Sequence, residues 1–115
     1  MTWPPPPDAP FWNLTKKEQA EYEAVVERDK DRCIECHGSW GEFHEVIPRG
    51  QGGKRVRGNM VLLCQADHTT GPEAAHGPKK REKQAKHLAY LLENEKNMRP
   101  EIKERAERRL IYLKG

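Results

Sequence analysis

Between Lys16 and about Lys30 the apolar side chains Ala20, Tyr22, Ala24, Val25 and Val26 sit among charged residues, preceded by Thr15 and Glu18 at capping-box spacing. That pattern predicts a helix. From Cys33 to Gly58, glycines and one proline exclude helix. Val46-Ile47 and Val56 are β-branched positions on either side of RGQGGK, which predicts two short strands joined by that turn. A third apolar run, MVLLC at 60–64, leads into QADHTT, and Gly71-Pro72 should stop or kink any helix that begins near Cys64. Beyond Pro78, Ala85, Leu88, Ala89, Leu91 and Leu92 recur with helical period. Pro100 stands where a second helix would begin, with Ile102, Ala106, Leu110 and Leu113 as its apolar face. The fold class expected is α+β: a hairpin flanked by an N-terminal helix and a C-terminal helical hairpin. The opening MTWPPPPDAPFW is too proline-rich for helix or central strand and reads as an extended arm over residues 1–13, anchored by Trp3, Phe11 and Trp12. Residues 14–78 then form the central unit and 79–115 the basic terminal helices.

A chain of 115 residues with 35% hydrophobic content has room for one domain and a small core, so something besides apolar burial should help to hold it. Cys33, Cys36 and Cys64 cannot pair off completely into disulfides. No secretory or membrane-spanning run is visible, so the expectation is a cytoplasmic protein with reduced thiols and no membrane partner. The net charge of +3 is uneven, at −5 over residues 1–48, +2 over 49–78 and +6 over 79–115. This asymmetry points the second half toward a polyanion, although helices rich in Lys, Arg and Glu are also ordinary solvated faces.

Two groups of residues have metal-ligand chemistry. The CIEC knuckle lets the Cys33 and Cys36 thiolates share one ion. Cys64 begins a second knuckle of the same spacing, whose fourth position is Asp67 where cysteine is usual. Zinc accepts a carboxylate, and His37 and His68 are rival fourth ligands; the alternative is three packed, metal-free thiols. His44, His68 and His76 form the second group. They lie at the hairpin start and after the apolar run, where a hairpin folded onto a helix would gather them into an open, hydrolytic kind of site. His37 and His87, taken singly, read as ordinary surface or packing residues.

HEVIPRGQGG, then GNMVLLC, then a histidine, within residues 32–77, closely resemble the HNH endonucleases, whose ββα-metal core packs a hairpin on a helix beside zinc knuckles. Counting back from Pro48 sets the register. The resemblance implies that His44 binds the catalytic metal, that Asn59 holds the hairpin loop and thereby orients the base, and that His68 and His76 complete the ligand set. Seven residues separate these two histidines where the family has about three. The base position, a histidine in the family, is Glu45, a carboxylate that can accept a proton from water or serve as a further ligand.

The resemblance therefore implies a divalent-metal-dependent DNA endonuclease, hydrolysing phosphodiester bonds by nicking or double-strand cleavage. Mg²⁺, Mn²⁺, Ni²⁺, Co²⁺ or Zn²⁺ would sit at the histidines and a structural zinc at the cysteines. Arg49, Lys54, Arg55 and Arg57 of the turn would meet DNA phosphates, extended by Lys79, Lys80, Arg81, Lys83 and Lys86, with weak sequence preference. Small stand-alone proteins of this type resemble those that bacteriophages encode near their DNA-packaging genes, which implies a bacterial host cytoplasm and packaging proteins as partners. Two rival readings remain: a zinc-stabilised DNA-binding module without catalysis, and an assembly module that docks through its arm and terminal helices.

Overall fold

A computed structural model of the chain describes residues 15–71 and 74–114. The proline-rich arm with Trp3, Phe11 and Trp12 lies outside the described residues, as does Pro72. Among the described residues the fold is α+β, with one two-stranded antiparallel sheet and three α-helices. Among the described residues no helix is long and apolar enough to cross a membrane.

Helix α1 spans Lys16–Arg28, and its capping box is formed as the sequence predicts: Glu18 N donates to Thr15 Oγ1 and Thr15 N to Glu18 Oε1, each at 3.1 Å. Lys30 and Asp31, at φ 59° and 57°, turn the chain out of the helix. The strands are β1, Glu42–Glu45, and β2, Met60–Leu63, with His44 opposite Val61 and Glu45 opposite Met60. The hairpin thus lies outside the expected positions. Val46, Ile47 and Val56 belong to the connecting loop, and the MVLL run is itself the second strand.

The physical reason is Asn59. Val46 N still reaches the Asn59 carbonyl at 2.8 Å, but at Ile47 the Asn59 side chain replaces a strand partner. Its Oδ1 accepts from Ile47 N at 2.8 Å, and its Nδ2 donates to the carbonyls of Ile47 and Lys54, both at 2.9 Å. The loop folds so tightly around this amide that a Cβ on Gly53 would fall 1.6 Å from the Ile47 carbonyl oxygen.

All four β2 residues are buried because both faces of the hairpin are covered, which is why the run is continuously apolar instead of alternating. One face, with Phe43, Met60 and Leu62, packs on Tyr22, Val25 and Val26 of α1. The other, with Val61 and Leu63, packs against helices α2, Lys80–Asn94, and α3, Pro100–Lys114, through Leu88, Leu91 and Ala106. The terminal helices therefore share the core with the hairpin. On α2 the inward stripe includes His87 and leaves Ala89 exposed, unlike the predicted face. The outer edge of β2 is closed by Asp29, whose Oδ2 accepts from Leu62 N at 3.0 Å, and by Ile34 N, which donates to the Leu62 carbonyl at 3.0 Å. After β2 comes a single π-helical turn, Ala66–Thr70, in place of a longer helix.

Candidate metal centres

The cysteine group assembles from two turns. Cys33 and Cys36 sit in a knuckle where His37 N donates to the Cys33 carbonyl and Cys33 N to the Gly38 carbonyl; Cys64 and Asp67 come from the end of β2 and the π-helical turn. One donor atom from each of the four lies within 4.8 Å of all the others. Cys36 Sγ stands 3.7 Å from Cys64 Sγ, and Asp67 Oδ2 lies 3.3 Å from Cys33 Sγ and 3.1 Å from Cys64 Sγ. Two thiolates on one tetrahedral ion at about 2.3 Å each stand about 3.8 Å apart, so the sulfur spacing already suits zinc. The fourth donor is Asp67. Of its rivals, His68 belongs to the other group, and His37 occupies a left-handed turn position at φ 63°. Burial pushes the Cys33 and Cys64 thiols up. Burial also raises the Asp67 carboxyl, but hydrogen bonds from Cys64 and Cys33 more than offset this and hold it low. Loading a metal here therefore displaces thiol protons.

The histidine group gathers His44 from β1, His68 from the π-helical turn and His76 from the loop before α2, again with one donor atom of each within 4.8 Å of the others. His68 Nε2 and His76 Nε2 are 3.1 Å apart. Two imidazole nitrogens on one tetrahedral ion at about 2.0–2.1 Å each would stand about 3.3 Å apart. The long spacing between His68 and His76 is absorbed by backbone pairing, in which Ala75 N donates to the Asp67 carbonyl at 2.8 Å and His76 N to the His68 carbonyl at 3.1 Å. Burial, aided by the nearby His68, His87 and His76 rings, pushes the His44 pKa down to about 2, so its imidazole is a neutral donor. Its Nδ1 is buried and meets no hydrogen-bond partner among the described residues. An unsatisfied buried nitrogen beside two converging imidazoles fits a metal centre.

Three supporting residues escaped the sequence reading. Glu42 Oε2 lies 3.1 Å from His68 Nδ1, near it but without hydrogen-bond geometry, while Nε2 faces His76; a carboxylate at that position can orient a metal-binding imidazole. Strand alternation was the available signal, since Glu42 lies two residues before His44 and shares its face. His87 presents its ring edge-on to His44, with centroids 5.7 Å apart, and its Nε2 meets Glu35 Oε1 at 2.9 Å. Glu35, inside the cysteine knuckle, also receives Lys86 Nζ at 2.9 Å and Lys83 Nζ at 3.4 Å. No local sequence signal marks this bridge between the two groups.

The same alternation carries Glu45 to the opposite face from His44, beside α1. There its Oε1 receives Arg55 Nε at 3.0 Å, with Arg49 Nε at 3.9 Å. Burial raises its carboxyl and Arg49 opposes that. The loop cations are only partly free for phosphates. Arg57 Nε is bound to Glu21 at 2.7 Å and Arg55 to Glu45, while Arg49 and Lys54 are exposed. Lys83 and Lys86 are committed to Glu35. Lys80 and Arg81, with Arg109 of α3, instead line a cleft of about 170 Å³ that opens on His44 and His76, and Lys79 is exposed just before α2. No family model, no curated protein and no solved structure matches the chain.

Proposed function

We propose that the protein is a metal-dependent DNA endonuclease of the HNH type, and that the histidine group is its catalytic centre in a ββα-metal core. The observation that carries this reading is the convergence of His44, His68 and His76 at the end of a cleft lined by Lys80, Arg81 and Arg109. A divalent ion on the three imidazoles would act as Lewis acid for the scissile phosphate and for charge developing on the leaving oxygen. Glu42, beside His68 Nδ1, would keep that ring in the ligating orientation, and Asn59 holds the loop that follows β1. The cleft cations bind the flanking phosphates without reading sequence. Glu45, at the base position of the resemblance, would take the attacking water's proton only if its carboxylate left Arg55 and the end of β1 turned it from the α1 face toward the histidines. The cysteine group, with zinc, would be structural.

A second reading, a DNA-binding module without catalysis, is favoured by one specific observation: Glu45 is ion-paired on the face away from the histidines. Supercoiled plasmid incubated with Mn²⁺ or Mg²⁺ separates the two. The endonuclease reading expects wild type to nick or linearise the plasmid only with metal, and both His68→Ala and Glu45→Ala to fail. Cutting by Glu45→Ala would remove the base assignment and leave the nuclease standing. Binding without cutting under every ion would favour the module.

A further inference from the structure

Beyond the cleft at His44 and His76, a second hollow of about 470 Å³ lies between the loop residues Ile47 and Gln51 and the outer face of α3. Gln51 and Arg109 line both hollows, so the two adjoin. Together they carry the basic side chains Lys80, Arg81, Arg105, Arg108 and Arg109 against two acidic ones, Glu101 and Glu104. The cations are not all loose surface charges. Arg109 Nε donates to Gln84 Oε1 at 3.0 Å, Gln84 Nε2 donates to the Val46 carbonyl at 2.8 Å, and Arg105 donates to the Gly52 carbonyl. Arg108 alone has a solvated partner one helical turn away, Glu104 at 2.6 Å. The wall of the second hollow also carries Tyr112, 60% exposed, with the guanidinium carbons of Arg109 and Arg81 at 4.9 and 5.3 Å from its ring centroid.

An exposed aromatic ring steadied by guanidinium groups, in a basic groove, is a stacking platform for nucleobases, with the cations left to take phosphates. A duplex hides its base faces within its own stack, so only an unpaired nucleotide can use such a platform.

We propose that this groove holds single-stranded DNA leading away from the cutting site, with Tyr112 stacking on an unpaired base. The favoured substrates are then overhangs, flaps and gaps, in which a single-stranded segment adjoins the scissile phosphate. The location of the cut rests on the endonuclease reading above; the binding does not. The track also explains a tyrosine left in solvent at the C-terminal end of α3 instead of in the core.

Fluorescence anisotropy without added divalent ion, comparing a short labelled oligothymidylate with a blunt duplex of equal length, tests the groove separately from catalysis. Wild type should bind the single strand more tightly than the duplex. Tyr112→Ala should weaken single-strand binding about tenfold, Tyr112→Phe should retain it, and Arg81→Ala should lower the slope of log affinity against log salt by about one. Equal binding by Tyr112→Ala and wild type, or tighter binding of the duplex, would overturn the proposal. Strand binding through Tyr112 with no metal-dependent cutting of either plasmid or a flapped duplex would uphold the groove and remove the endonuclease reading; cutting with single-strand binding unchanged in Tyr112→Ala would do the reverse.

Discussion

Glu42 and His68 meet across 3.1 Å, carboxylate Oε2 against imidazole Nδ1, and that contact leaves His68 Nε2 as the nitrogen facing His76. Without it the ring loses its orienting partner. Glu42→Ala should therefore weaken Mn²⁺ binding about 10–100-fold, read by calorimetric titration. Unchanged affinity would show that the fold orients His68 without Glu42.

The cysteine group should bind Co²⁺ with thiolate charge-transfer absorption, because Cys33, Cys36 and Cys64 all present sulfur to one point. Cys36→Ser should weaken that absorption. Asp67→Cys should tighten zinc at least about tenfold by restoring the preferred all-thiolate set. An absence of the band in wild type would mean that the sulfurs pack together without a metal.

Asp29 is fully buried and holds three separate parts of the molecule. Its carboxylate pairs with Arg28 at 2.7 and 3.0 Å, accepts from Tyr90 Oη at 2.6 Å, and caps the β2 edge at Leu62 N. Arg28 in turn donates to the carbonyls of Arg57 at 2.7 Å and Met60 at 2.5 Å. Asp29→Asn leaves Arg28 with Glu95 Oε1, at 3.0 Å, as its remaining carboxylate partner, so urea denaturation should show a loss of about 1.5–3 kcal/mol. A loss under about 1 kcal/mol would mean that the cation finds water instead.

Glu35 gives a pH signature. Burial alone would raise its carboxyl, but the Lys86 and His87 contacts outweigh that and bring it from 4.5 to about 2. A carboxyl depressed by folding stabilises the fold above its unfolded value and loses that contribution as pH falls toward the folded one. The gap in urea midpoint between wild type and Glu35→Gln should thus be full above about pH 5 and close as the pH approaches 2. A gap independent of pH would assign the effect to packing.

The helices were legible because their signals are local: Thr15 and Glu18 mark one start, Pro100 another, and Ile102 and Ala106 the inward face of α3. The strand positions were not, because Asn59 satisfies the Ile47 backbone with a side chain, and propensity at Val46 and Ile47 cannot register a partner twelve residues away. Both metal groups were assembled correctly from ligand chemistry and order. The placement of Glu45 was not legible from the resemblance, since the period of two that puts Glu42 beside His68 also puts Glu45 on the α1 face. His87 followed from neither, being an isolated polar residue on an apolar helical stripe.

One π-helical turn holds adjacent residues for both centres, Asp67 for the cysteine group and His68 for the histidine group. Fixing the backbone of either residue removes conformational freedom from the other, so the ordering cost is shared. Ions at the two centres should then bind with positive linkage, and Mn²⁺ affinity at the histidines should fall when Cys36→Ser loosens the thiolate side. Independent affinities would count against such linkage. Because linkage is reciprocal, an ion held by His68 should tighten ion binding at the thiolate centre by the same factor that the thiolate-bound ion tightens it at the histidines.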